Sequence, residues 1–158
     1  MRTLVLIRHA KAGPAQVDDH SRELSARGRS DAAGIRTWLS ARAIVPGRVV
    51  VSTATRTRQT WELASPGGVA PEYDDRVYEA GTSALLEVIE QTPDDVEVLV
   101  VVGHNPGIER LAAELDDSPG ARDRTNAGLP TSAVVVFELA TWTEPTHAVL
   151  KELVVPRG

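Results

Sequence analysis

An α/β architecture, in which a mostly parallel sheet lies between two helical layers and ends in an antiparallel edge, follows from three features of the chain. Short apolar runs at Leu4–Ile7, at Arg48–Ser52 around Val49-Val50-Val51, and at Val96–Val102 have the length and β-branched content of strands buried on both faces. Segments with apolar residues at helical spacing alternate with these runs, and strand–helix alternation builds a parallel sheet covered on both sides. At the end of the chain, Ser132–Leu139 and Thr146–Val155 follow one another without a helix between them, as an antiparallel pair does.

Taken in order, the first strand gives way at Arg8-His9, and residues 13–20 read as a surface loop. A helix follows in which Ala32, Ile35, Trp38 and Leu39 share one side, ending before Pro46-Gly47. After the strand Arg48–Ser52, a helix is expected from Thr55 to Ala64, stopped by Ser65-Pro66-Gly67-Gly68. Residues 71–78 carry the weakest pattern, and a short strand is expected around Arg76-Val77-Tyr78. Thr82 or Ser83 is placed to cap a helix bearing Leu85, Leu86 and Ile89, and Pro93-Asp94-Asp95 turns into the strand Val96–Val102. Gly103-His104-Asn105-Pro106-Gly107 is a tight bend, with Pro106 opening a helix whose Ile108, Leu111, Ala112 and Leu115 form a stripe. Asp116 to Pro130 reads as a polar loop of functional length. No repeat or low-complexity segment interrupts the chain, and residues 1–158 are expected to form one domain with a substantial core.

A net charge of −5 without a basic block argues against nucleic acid as a partner. The absence of cysteine excludes a disulfide framework, a thiolate zinc site and a catalytic thiol. The first apolar run is too short for a signal peptide and nothing reaches a membrane-spanning length, so a cytoplasmic monomer without membrane association is expected.

Arg8 and His9 stand where ligands sit in open α/β sheets, just beyond the carboxyl end of a strand. A guanidinium fork matches phosphate, and a neutral imidazole beside it can attack phosphorus. Arg56 lies just past the second strand, on the same sheet edge; Arg58, two residues on, cannot face the same way and reads as solvated. His104 leaves another parallel strand at the start of a helix, where free N–H groups and the helix dipole favour an anion. Taken singly, His9 and His104 are equally readable as hydrogen-bonded core histidines; beside two arginines on one edge they read as a site. His20 and His147 lack such company and read as surface residues. With no helical His-x-x-x-His, no cysteine and cations close by, a metal site on His9 and His104 is disfavoured.

Arg8-His9-Ala10 resembles the Arg-His-Gly opening of the histidine phosphatase superfamily, and its alanine is similar to the small phosphohistidine phosphatase (SixA-like) branch. Ser52-Thr53-Ala54-Thr55-Arg56-Thr57-Arg58-Gln59-Thr60 is similar to that family's Ser-x-x-x-Arg-Ala-x-Gln-Thr, with Thr57 for the usual alanine. Val102-Gly103-His104-Asn105-Pro106-Gly107 resembles its Gly-His-Asn-Pro-Gly turn. More weakly, Arg22-Glu23-Leu24-Ser25-Ala26-Arg27-Gly28 resembles Arg-Pro-Leu-Ser/Thr-x-x-Gly, with Glu23 in place of proline.

This resemblance spans almost the whole chain in the right order. It implies a phosphoglycerate mutase-like fold and a phosphatase that needs neither metal nor cofactor. His9 would be the nucleophile that becomes phosphorylated, its other ring nitrogen held by a backbone carbonyl. Arg8, Arg56 and a positively charged His104 would hold the phosphoryl oxygens, with Asn105 also at the substrate. Arg22 either reaches the rim or is structural. Glu79 falls where many superfamily members place the acid that protonates the leaving group, but reads equally as a loop carboxylate in water. The chain leaves little room for pocket-closing insertions, so mutase activity is not expected and an open site is. That suits phosphohistidine on another protein; a small phosphomonoester or nucleotide is the alternative. A non-catalytic phosphoprotein-binding module is a third reading, against which the paired histidines argue.

Overall fold

Side chains alternate between the two faces of a strand, so a strand covered on both faces must be apolar at every position. β1 (Arg2–Arg8) meets that requirement: Leu4 and Leu6 pack into one core, Val5 and Ile7 into the other, and all four are fully buried. The computed structural model describes residues 1–14, 18–116 and 128–158; the remaining parts of the expected loops at 13–20 and 116–130 lie outside the described residues.

β1 is followed by α1 (Ala26–Ala41), β2 (Arg48–Val51), α2 (Thr55–Ala64), β3 (Glu72–Tyr73), α3 (Thr82–Glu90), β4 (Val98–Gly103), α4 (Gly107–Leu115), β5 (Val134–Leu139) and β6 (Val149–Val154). The six strands lie in the order β3-β2-β4-β1-β5-β6. β3, β2, β4 and β1 are mutually parallel, whereas β5 and β6 complete the sheet as antiparallel strands. On one face Leu85, Val88 and Ile89 of α3 and Ile108, Leu111 and Leu115 of α4 cover the sheet. On the other face Ile35 and Leu39 of α1 join Trp61 and Ala64 of α2. The expected three-layer sandwich with an antiparallel edge is the observed fold.

Where the structure departs from expectation, local hydrogen bonding explains it. Residues 76–78 do not form a strand: the Asp74 carboxylate accepts from the Arg76 amide at 2.9 Å and turns Asp75–Val77 into a single 3-10 turn. The strand of this region is the earlier pair Glu72–Tyr73 beside β2. The cap of α3 is Gly81, one residue before the expected Thr82 or Ser83, and it provides no side-chain hydrogen bond. A 3-10 turn at Pro145–His147 delays β6 to Val149. Among the described residues, no helix is long and apolar enough to cross a membrane.

β2, β4 and β1 are neighbours, and their ladder continues past the strand ends. The Ser52 amide donates to the Val102 carbonyl at 3.0 Å, and the His9 amide to the Gly103 carbonyl at 3.0 Å. Three chain segments distant in sequence therefore deliver Ser52, His9 and His104 to one edge of the sheet.

Candidate active site

His9 sits directly beyond β1, with its ring almost wholly buried. Its Nδ1 lies 2.6 Å from the carbonyl oxygen of Ala10. A carbonyl only accepts, so the proton is on Nδ1, and in the neutral ring Nε2 carries the lone pair. Burial pushes the imidazole down to about 4, and Arg56, Arg8 and Arg22 add to that, so the ring is neutral at physiological pH. Ala10 is itself fixed, its amide donating to Thr60 Oγ1 at 3.0 Å and its methyl packed with Leu24 and Ala32. The residue that departs from the usual glycine is thus part of the packing.

The His104 ring is 5.3 Å from that of His9, and its Nε2 is 2.7 Å from Ser52 Oγ. Its Nδ1 is buried without a partner. Burial, with Arg56 and His9 nearby, lowers its pKa to about 3. Burial is the largest cause and the neighbouring Arg56 adds to it, so the ring is neutral in this structure. Ser52, first residue of the second motif, is the partner that sequence reasoning left without a role.

Arg8 donates from Nη1 to the Leu129 carbonyl at 2.7 Å and keeps a buried, unpartnered Nε. Burial lowers its pKa, opposed by Glu109 and reinforced by Arg56. Asn105 donates from Nδ2 to the same Leu129 carbonyl at 2.9 Å, which leaves a buried Oδ1 without a partner.

Arg56 is buried in the first turn of α2 and Arg58 is exposed, its guanidinium 4.6 Å above the ring of Tyr73. Arg56 meets the 3-10 turn Asp19–Ser21 twice: Nη1 donates to the Asp19 carbonyl at 2.7 Å and Nη2 to Asp19 Oδ2 at 3.0 Å. The Tyr78 hydroxyl donates to the same Oδ2 at 2.8 Å. That bond, together with Arg56, brings the Asp19 carboxyl down to about 2, while Tyr78 is pushed up to about 12. Arg22 spans from Asp19 Oδ1, at 3.4 Å, to the Gly13 carbonyl, at 3.1 Å, and lies close enough to His9 to lower its pKa. His20 is not a detached surface residue: its Nε2 is 2.9 Å from Thr53 Oγ1 and its ring meets Tyr78 edge-on at 4.8 Å. His147 is exposed, as expected.

Asp19, Arg56, Tyr78, Glu79, His104 and Asn105 line a cavity of about 530 Å³. Glu79 stands on its rim, exposed, with a backbone φ of +53° that non-glycine residues seldom adopt. Its place is set by the next turn of chain: a Cβ on Gly107 would lie 2.7 Å from the Ala80 carbonyl oxygen, so only glycine lets α4 approach this segment. Gly28 does the same for the nucleophile, since any Cβ there would collide with the Lys11 carbonyl. Ser25 accepts from the Gly28 amide and donates to that carbonyl, and Gln59 Oε1 accepts from the Leu24 amide at 2.8 Å. The Leu24–Gly28 part of the fourth motif and the Gln59-Thr60 end of the second therefore clamp the loop after His9.

No protein-family model matches the chain. An uncharacterized protein of Mycobacterium tuberculosis is 38% identical over 160 residues, which cover 96% of this chain and 100% of that one. A Mycobacterium leprae protein is 32% identical, covering 85% of this chain and 88% of its own. Among solved structures, a protein of Nakamurella multipartitia assigned as the phosphohistidine phosphatase SixA superposes with a TM-score of 0.89 at 33% identity, covering 98% of this chain and 96% of that one. A SixA of Agrobacterium tumefaciens, likewise assigned, gives 0.85 at 28% identity, covering 98% and 99%. Similarity this close, over nearly the full length of each partner, shows the family: the chain belongs to the histidine phosphatase superfamily, in its small SixA-like branch.

Proposed function

We propose that this histidine phosphatase hydrolyses phosphohistidine carried on another protein, by way of a phosphoryl group held on His9. The observation that carries the reading is the Nδ1 bond to the Ala10 carbonyl, which leaves the Nε2 lone pair of a neutral ring free to attack. Nε2 attacks phosphorus in line, the substrate N–P bond breaks, and its electron pair returns to the departing imidazole. His9 then bears phosphorus on Nε2 and a proton on Nδ1, with its positive charge facing the Ala10 oxygen. Water attacks the phosphorus, the Nε2–P bond breaks with its electron pair returning to Nε2, and inorganic phosphate leaves. Arg8 and Arg56 hold the phosphoryl oxygens through charge-assisted bonds, and His104 offers a further donor. These groups supply the positive charge that metal ions give in other phosphoryl transfers.

An imidazole leaves with a reference pKa of about 6.5 and needs little protonation, unlike an alkoxide. The assignments of the Nakamurella and Agrobacterium proteins support the same substrate class. Glu79, on the cavity rim, favours a second reading in which a small phosphomonoester is the substrate and Glu79 protonates its oxygen. Turnover of a phosphohistidine protein, compared with sugar phosphates and nucleotides, separates the two. An acid-labile phosphoenzyme should be trapped on His9, and a His9→Ala variant with full turnover would refute the mechanism.

A further inference from the structure

Hydrolysis of the phosphoenzyme requires a proton acceptor for the attacking water. At that stage His9 carries phosphorus, the arginines can only donate, and His104 has its Nε2 at Ser52 and serves as a donor to the phosphoryl oxygens in the proposed mechanism. We propose that Asp19 is this acceptor, its carboxylate standing on the cavity wall between Arg56 and Tyr78. The inference rests on the reading of His9 as the phosphoryl carrier.

In-line geometry puts the entering water opposite His9, on the side from which the leaving group has departed. The cavity lined by His104, whose ring is 5.3 Å from that of His9, carries two carboxylates on its wall, Asp19 and Glu79. They differ in fixation. Glu79 is exposed, with no hydrogen bond to its carboxylate among the described residues. Asp19 is held at three points: Oδ2 accepts from Arg56 Nη2 at 3.0 Å and from the Tyr78 hydroxyl at 2.8 Å, and its own carbonyl accepts from Arg56 Nη1 at 2.7 Å. Both short carboxylate bonds fall on Oδ2. Among the described residues Oδ1 has only the long 3.4 Å contact with Arg22 Nη1 and is the oxygen free to accept. Arg56, which holds a phosphoryl oxygen in the proposed mechanism, is bonded to this same carboxylate, so one guanidinium joins the two.

In the step itself the water oxygen bonds to phosphorus while the P–Nε2 bond breaks and its electron pair returns to Nε2. One water proton passes to Asp19 Oδ1. The carboxyl, 49% exposed, then releases that proton to solvent. The carboxylate is ionised throughout the physiological range, as an acceptor must be.

The test is rapid-quench kinetics with phosphoramidate as the P–N donor, following phosphate on His9 and phosphate released. In Asp19→Asn the phosphoenzyme should still form and then accumulate, its hydrolysis slowed about a hundredfold. Asp19→Glu should restore part of the hydrolysis rate. Asp19→Ser, a second variant without the carboxylate should Asp19→Asn not fold, should show the same accumulation of phosphoenzyme. Hydrolysis at the wild-type rate in Asp19→Asn overturns the proposal. So does equal slowing of both steps, which would reduce Asp19 to a support for Arg56. A wild-type protein that never phosphorylates His9 would instead overturn the proposed function.

Discussion

At the floor of the site, along one sheet edge, His9, His104 and Ser52 leave the ends of β1, β4 and β2, whereas at its outer wall Asp19, Tyr78 and Glu79 stand on short turns and loop and line the cavity. The floor is held by the sheet ladder and by buried bonds such as Ala10 to Thr60. The wall is held by side chains reaching across: Tyr78 to Asp19, His20 to Thr53, and Thr53 to Asp75 at 2.6 Å. Groups on strand ends are fixed by the whole core, while groups on turns depend on a few polar contacts. The contrast assigns the nucleophile to the rigid part and whatever meets the leaving group to the adjustable part.

Mutations that break the floor should therefore have the largest effects. His9→Ala removes the attacking atom, and steady-state turnover of phosphoramidate should fall to background. Arg56→Lys keeps the charge but loses the fork that binds Asp19 and an oxyanion together, and kcat/KM should drop about a hundredfold. Gly28→Ala forces a methyl onto the Lys11 backbone and should destabilise the fold by about 2 kcal/mol, read from urea unfolding, because that backbone has little room to shift.

Smaller effects are expected at the wall and from pH. Glu79→Gln should slow an aryl or alkyl phosphate more than phosphoramidate; equal slowing would remove Glu79 as a leaving-group acid. The two buried imidazoles are depressed to about 4 for His9 and about 3 for His104. Below the ordinary histidine value the unfolded chain takes up protons that the folded chain refuses. Stability should therefore be complete above that value and decline as pH falls through about 4 towards about 3. Inorganic phosphate should blunt the decline, since a bound anion favours protonated rings; thermal melts across this range with and without phosphate check both statements.

The floor was the legible half of the molecule. Leu4–Ile7, Val49–Val51 and Val98–Val102 announce buried parallel strands by composition alone, and Arg8, His9, Arg56 and His104 follow from where those strands stop. The wall carries no comparable pattern. A two-residue strand such as Glu72–Tyr73 has no periodicity to detect, and its neighbour Asp74 makes a turn through one side-chain bond. Asp19 and His20 read as loop residues because the partners that give them a place, Arg56, Tyr78 and Thr53, lie more than thirty positions away. Ser52 was visible within a motif, but nothing in its surroundings marks it as the partner of His104.

The carbonyl of Leu129 receives one bond from Arg8 and another from Asn105. A single peptide group just before β5 thus governs how an arginine and a helix-opening amide stand toward an incoming anion, while the imidazole of His9 hangs from a different anchor at Ala10. Grip and reactivity have separate moorings in this fold. Descendants of a common ancestor could retune how tightly they hold a phosphate by reshaping residues 128–131, without disturbing the ring that attacks it.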